Sequence, residues 1–235
     1  MALYELDPDH LHFPPPQLAL ASPNGLLAIG GDLSVERLIS AYSNGIFPWY
    51  NPGEPILWWS PDPRGVIKPE QITANRSLKK SIRKYNYRFT LNQCFSAVID
   101  NCAKLRERNE GTWINKDIQT AYNNLHRAGY AHSLEVWSND QLVGGLYGVL
   151  LGSLFCGESM FHLKTDASKA AFNCLGKHCL ANGVQLIDCQ MVNPHLQTLG
   201  VYEMPRKDFL KIAAQLIHQR NHSKSWLPQE LNYGP

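Results

Sequence analysis

The chain has 235 residues, 44% of them hydrophobic and 18% charged, which suffices for one large or two small folded domains and excludes a disordered tail. No apolar stretch reaches the ~20 residues that span a bilayer. The opening "MALYELDPDHLHFPPP" lacks the basic start and apolar core of a secretion signal, so a cytoplasmic protein without a membrane anchor is expected. The formal net charge of +2 conceals an asymmetry: six of the 22 basic residues and none of the 20 acidic ones fall between Asn75 and Arg88, leaving the remainder net acidic.

Residues 1 to 65 are rich in Pro, Gly and Trp and read as loops and short strands packed by aromatics. One helix is expected among them, with Ser34 as N-cap, Glu36 in its first turn, Leu38, Ala41 and Tyr42 as its apolar stripe, and Asn44-Gly45 as its stop. In "NRSLKKSIRKYNYR", Leu78, Ile82 and Tyr85 fall at i, i+4 and i+7, so a helix buries them and leaves the basic residues outside. A second helix is expected over Leu91 to Leu105, and "KDIQTAYNNLHRAGY" reads as a third closed by Gly129.

From Ala131 the hydrophobic period turns toward two, which predicts three strands with turns at Ser138-Asn139-Asp140 and Gly152-Ser153. "DASKAAFNCLGKHCLANG" predicts a helix with Asp166 as N-cap and Asn182-Gly183 as its end. The strand "VQLIDCQ" follows, then a short helix in "NPHLQTLG" and a last one in "KDFLKIAAQLIHQ". This order points to an α/β or α+β core whose strand ends hold a site, with a domain boundary near residues 100 to 110.

Six cysteines without an export signal read as reduced thiols, and none forms a C-x-x-C pair. Cys174, Cys179 and His178 read as buried helix residues rather than a zinc site, and no metal is expected. In "QLIDCQ", strand alternation puts Asp188 and Gln190 on one face with Leu186, and Ile187 and Cys189 on the other. Either Asp188 and Gln190 cap the backbone where the chain leaves the sheet, or they join Glu158 of "CGESMF" in a cleft that holds a cationic amine. A thiol nucleophile built from Cys189 and His195 is disfavoured by that facing. Arg76, Lys79, Lys80, Arg83, Lys84 and Arg88 form either a solvated face or a surface for the phosphates of a polyanion. Tyr50, Trp58, Trp59, Trp49 and Trp113 are core or, beside such a patch, a stacking surface for unpaired bases. The glycines of "LVGGLYG" and "LLGSLFCG" lack P-loop spacing and read as bends or close backbone approaches, and "HLKTDASKAA" has no glycine-rich turn to cradle a pyrophosphate.

Taken together, "FPPPQLALASPNGLLAIGGDLS", "GIFPWY", "WWSPDPRG", "GTWI", "LVGGLYGV", "FCGESMF", "LIDCQ" and "HLQTLGVYEMPRKDFL" resemble the bacterial leucyl/phenylalanyl-tRNA–protein transferases over nearly the whole chain. Departures at His162, Asp166 and Thr198 concern the rim and a helix entry. The resemblance implies an α+β protein with a small N-terminal α/β domain, residues 1–105, and a C-terminal acetyltransferase-like (GNAT-like) domain, residues 106–235. It implies transfer of Leu, Phe or Met from aminoacyl-tRNA to the N-terminal Arg or Lys of acceptor proteins, marking them for degradation, by a monomer without a cofactor. Asp188, Gln190 and Glu158 would then be catalytic, with Glu158 and Asp188 receiving the cationic acceptor and Asp188 polarising the Gln190 amide. Leu146, Phe155, Met160 and Ile187 would form the aminoacyl pocket, Trp49 and Trp113 would flank the terminal adenosine, and the basic segment would grip the tRNA. Two other readings compete: a CoA-dependent N-acyltransferase, and a non-enzymatic tRNA-binding protein.

Overall fold

The computed structural model describes residues 3–109, 112–219 and 223–232. The first part of the chain forms β1 (Tyr4–Leu6), β2 (Leu26–Gly30), α1 (Val35–Ser43), β3 (Phe47–Pro48) and β4 (Leu57–Trp59). These strands make a sheet in the order β1-β2-β4-β3. Ser34 caps α1, its hydroxyl accepting from the Arg37 amide at 3.3 Å, and Leu38, Ala41 and Tyr42 are buried as the apolar spacing predicts. Arg37 is buried as well: Asp32 accepts from its Nε at 3.1 Å, and its remaining nitrogens bond the carbonyls of Asp7, Pro8 and His10, tying the N-terminal segment to α1.

Next come β5 (Arg64–Ile67), α2 (Arg76–Lys84), β6 (Arg88–Leu91), α3 (Phe95–Asn109), α4 (Lys116–Arg127), β7 (Ala131–Ser138), β8 (Gln141–Leu151) and β9 (Leu154–His162). The chain continues through α5 (Ala167–Ala181), β10 (Leu186–Asp188), α6 (Pro194–Thr198), β11 (Tyr202–Met204), α7 (Arg206–Leu216) and β12 (Gln229–Leu231). Eight of these strands pair in the order β11-β5-β10-β9-β8-β7-β6-β12. Strands β5 and β6 precede residue 105 yet hydrogen-bond into this sheet, so the two sheets divide the chain between Trp59 and Arg64 and not near residue 105, which falls inside α3. The reason is that β5 and β6 find their partners in β10 and β7, far along the chain, and composition near residue 105 carries no trace of that pairing.

Two cores flank the large sheet. On one side α1, α3, α4 and α7 pack with Leu154, Cys156 and Leu186, and the small sheet contributes Leu27, Ala28 and Trp58 to the same core. On the other side α5 and α2 pack with Phe155, Leu146 and Ile187. Leu78 and Ile82 anchor α2, each burial being worth ~1.5–3 kcal/mol, while Arg76, Lys79, Lys80, Arg83 and Lys84 stay exposed. Residues Leu91 to Leu105 do not form one helix: Leu91 ends β6, Asn92 takes a left-handed φ of 57°, and α3 starts at Phe95. Asp166 does not cap α5 with its side chain; it sits at a left-handed φ of 61° and its carboxylate accepts from the Ser81 hydroxyl at 2.8 Å, linking α5 to α2. Gly144 and Gly148 mark close approaches, as expected: a Cβ at Gly148 would lie 2.3 Å from the Cys156 oxygen, and one at Gly144 would lie 2.6 Å from the Ala167 Cβ.

Candidate active site

Two local features open the sheet beside β9. Strand β10 runs parallel to β9 but stops pairing at Asp188 opposite Cys156, so the second half of β9 is bonded only to β8. Within β9 the register slips: Gly157 faces Gly148 and Ser159 faces Tyr147, which leaves Glu158 as the extra residue of a β-bulge. Before the bulge Cys156 points to the first core and Phe155 to the second; beyond it Phe161 points to the first and Met160 packs against the second. The slip turns Glu158 into the gap between the parting strands.

A cavity of about 520 Å³ fills that gap, within the ~300–1,000 Å³ of small-molecule sites. Leu146, Phe155, Met160 and Ile187 line it, joined by Phe172 and Leu175 of α5, which the sequence reading did not assign to the site. Trp49, 38% exposed, and Trp113 also line it. Glu158 is the one acid among the described lining residues, and Gln190 stands beside it.

Three side chains converge on the Glu158 carboxylate. Tyr42 donates to Oε1 at 2.7 Å, Tyr122 donates to Oε2 at 3.0 Å, and the Gln190 amide nitrogen donates to Oε1 at 3.1 Å. The two phenol oxygens also lie within hydrogen-bond reach of each other, a contact their two protons fill only when one bond to Glu158 is given up or when the carboxyl is itself protonated and donates. Burial pushes the Glu158 carboxyl up to about 7, against the lowering effect of the Tyr42 and Tyr122 hydroxyls. Burial, reinforced by the charge of Glu158, holds both phenols well above their ordinary range, so they act as donors and not as bases. Tyr42 and Tyr122 escaped the sequence reading because each sits in the apolar stripe of its helix, where a tyrosine looks like core.

Asp188 is placed differently from the expectation. Its side chain is fully buried and does not line the cavity; Arg64 holds it from Nε to Oδ1 at 2.8 Å and from Nη2 to Oδ2 at 2.7 Å. Of the two acids, Asp188 is therefore already paired with a cation, and Glu158 alone faces the cavity. Asp188 also meets Gln190 through the backbone and not the carboxamide: Oδ1 accepts from the Gln190 N–H at 2.9 Å. Gln190 lies beyond the end of β10 at a left-handed φ of 59°, so strand alternation does not apply to it. Its carbonyl accepts from the Gly65 amide at 3.0 Å, and Cys189 donates its amide to the Gly65 oxygen at 2.8 Å. The turn that presents the Gln190 side chain is thus fastened to β5 and to Asp188. Arg64, in "WWSPDPRG", carried no periodic signal that would have marked it.

Cys189 and His195 both line the cavity, but burial pushes the Cys189 thiol up and pulls the His195 imidazole down. That pairing disfavours a thiolate. Of the basic segment, Arg88 lies on β6 and not on the helix, half-buried with its guanidinium carbon 5.4 Å from the centroid of the Trp137 ring and a terminal nitrogen 3.7 Å from Asp140, so five basic residues and not six form the α2 face.

A site of this make-up, with an apolar chamber, aromatic rim and a buried carboxylate tuned near neutrality, is that of an enzyme. Residues 66–214 match the family described as leucyl/phenylalanyl-tRNA protein transferase, and residues 31–62 match the N-terminal domain of the same family. A leucyl/phenylalanyl-tRNA–protein transferase of Shewanella denitrificans is 55% identical over 94% of this chain and 94% of its own. A relative of the same name from Tolumonas auensis is 55% identical over 97% of each chain. A crystal structure of a functionally unknown conserved protein from Staphylococcus epidermidis aligns over 77% of this chain and 68% of its own, with 11% identity and a TM-score of 0.45. The protein is thus an aminoacyltransferase by descent. It belongs to the leucyl/phenylalanyl-tRNA–protein transferase family.

Proposed function

We propose that this protein transfers Leu or Phe, and also Met, from aminoacyl-tRNA to the N-terminal Arg or Lys of acceptor proteins, creating a destabilising N-terminus in the cytoplasm. The observation that carries the reading is the junction of an apolar chamber with Glu158 and Gln190 in one cavity, rimmed by Trp49 and Trp113. The apolar side chain of the charged amino acid enters among Leu146, Phe155, Met160 and Ile187. The terminal adenine packs against the two indoles, and the exposed face of α2 meets backbone phosphates. The parallel β9–α5–β10 unit, with strands parting at its site, supports an acetyltransferase-like reading of the large sheet. A monomer needs no residue from a second copy to complete this cavity.

The ester of an aminoacyl-tRNA is already activated, so the reaction needs alignment and one proton acceptor and no cofactor. An N-terminal ammonium titrates near ~8, close enough to the Glu158 carboxyl at about 7 for proton transfer between them. With its nitrogen donated to Glu158, the Gln190 amide leaves its oxygen without a protein donor among the described residues, ready to accept from the attacking amine. Starting from the neutral amine, its nitrogen bonds the ester carbonyl carbon, the carbon–oxygen bond to the ribose breaks, and the proton that the amine gives up to Glu158 is passed on to the ribose oxygen, which leaves as a hydroxyl. Asp188 and Arg64 hold the Gln190 turn in place.

The test mixes purified protein, tRNA charged with labelled Leu, and two peptides differing only in an N-terminal Arg or Ala. Label passing to the Arg peptide alone, without CoA or ATP, is expected. Binding of charged tRNA with transfer to neither peptide would make it a tRNA-binding protein, and transfer only on addition of an acyl-CoA would make it a CoA-dependent N-acyltransferase.

A further inference from the structure

The floor of the aminoacyl chamber is supported from behind by a part of the chain that lies outside the residues matched to the family, which end at 214. A turn at Ser223–Trp226 leads into β12, which pairs with β6 at the edge of the large sheet, Gln229 opposite Leu91 and Leu231 opposite Phe89. Trp226 is 4% exposed and belongs to the same core as the chamber residues Leu146, Phe155, Leu175 and Ile187. Its indole stacks on Phe155 with ring centroids 5.8 Å apart and planes at 20°.

Phe155 is therefore clamped on two sides. Its ring occupies the space that a Cβ at Gly148 would take, that atom falling 2.6 Å from Cε1 and 2.7 Å from Cζ, and Trp226 covers another face. The ring can neither sink toward β8 nor slide toward the C-terminal segment, so it marks a fixed wall of the chamber. Trp226 is itself held. Its carbonyl accepts from the Asn92 amide at 2.6 Å, its ring lies 4.8 Å from the His132 ring, and it meets His178 edge-on at 4.7 Å.

We propose that Trp226 is a specificity-determining positioning residue: by backing Phe155 it sets the depth of the aminoacyl chamber, and so the preference between a Leu and a Phe side chain. This rests on the transferase reading above. Removing the indole lets Phe155 recede, deepening the chamber in favour of the larger Phe side chain. A change of about one methylene in such a pocket alters discrimination by roughly 10-fold or more. The indole N–H has no partner among the described residues, so exchange for Phe removes no hydrogen bond to them and retains an aromatic wall.

The experiment compares kcat/KM for Leu-tRNA and Phe-tRNA in the unmodified protein, Trp226→Leu and Trp226→Phe, each also in a Phe155→Leu background. Trp226→Leu is expected to move the ratio toward Phe by about tenfold, Trp226→Phe by less in the same direction, and neither to move it once Phe155 is Leu. An unmoved ratio in folded Trp226→Leu, or an equal shift in both backgrounds, overturns the proposal. If Trp226→Leu does not fold, the same two comparisons in Trp226→Phe decide it. An unmodified protein that transfers neither amino acid refutes the transferase reading itself, whereas one that transfers both with an unmoved ratio refutes only the role of Trp226.

Discussion

Replacing Arg64 by Met tests the support beneath Gln190. Met preserves much of the apolar contact that the Arg64 side chain makes beside Phe47 and Phe209, whose ring centroids lie 5.1 and 4.5 Å from its guanidinium carbon. It removes both bonds to Asp188 and a third, 2.8 Å long, from Nη1 to the Gly45 carbonyl. Asp188 is then a fully buried carboxylate whose remaining strong donor is the backbone N–H of Gln190. Breaking a buried pair from one side costs ~3–5 kcal/mol, because the surviving charge has neither water nor partner. At ~2–4 °C per kcal/mol for a chain of this size, Tm should fall by roughly 6–20 °C. Urea unfolding followed by tryptophan fluorescence measures the loss, with the midpoint moving and the slope m constant. The double variant Arg64→Met/Asp188→Asn removes the stranded charge and should recover a large part of it. A single variant within ~1 kcal/mol of the unmodified protein, or a double variant no more stable than the single, would refute the reasoning.

Burial raises the Glu158 carboxyl from an ordinary 4.5 to about 7, so the folded state binds that proton more tightly than the unfolded chain does between those values. Its contribution to stability is fully present below 4.5 and is lost as pH rises through 7; unfolding free energies across that window should fall in the unmodified protein and be flatter in Glu158→Gln. Lys80→Ala and Arg83→Ala should each reduce the slope of log affinity for tRNA against log salt by about 1, while Gln190→Ala slows transfer and leaves that slope unchanged. Equal effects of the two classes on tRNA affinity would contradict the division between grip and chemistry. Cys189→Ala should transfer at a rate within about threefold of the unmodified protein, since a half-buried thiol pushed above its ordinary range supplies little thiolate. A folded but inactive Cys189→Ala would point to a covalent route.

Much of the site was legible because apolar runs ending in polar residues mark strand ends. "CGESMF" and "LIDCQ" singled out Glu158, Asp188 and Gln190, and the cavity collects Glu158 and Gln190 with the four apolar residues expected around them. What the sequence could not carry was geometry that depends on distant partners. The bulge that aims Glu158 is a mismatch between β8 and β9, and no local pattern in β9 announces it. Arg64 and Asp188 are 124 residues apart, and their pairing converts an expected acceptor-binding acid into a buried brace. Tyr42 and Tyr122 were visible as helix positions and not as hydroxyls, because helical spacing says which residues face inward and nothing of what their polar tips will meet. The helix of residues 35–43 was read well because a cap and a stripe coincide there, at Ser34 and at Leu38, Ala41 and Tyr42. Strand β6 was missed because its four residues, Arg88–Leu91, have Asn92 as the one turn signal before the helix that follows, with no Gly or Pro beside it to mark the break.

The most direct measurement is the single-turnover rate of Leu transfer from charged tRNA to a peptide with N-terminal Arg, in the unmodified protein and in Glu158→Gln, with tRNA affinity measured alongside. The substitution keeps the shape of the side chain and its place between Tyr42, Tyr122 and Gln190 while removing the proton acceptor. A loss of about 10²–10⁴ in rate with tRNA affinity unchanged is predicted. A rate within about threefold of the unmodified protein would contradict the assignment of proton transfer to Glu158.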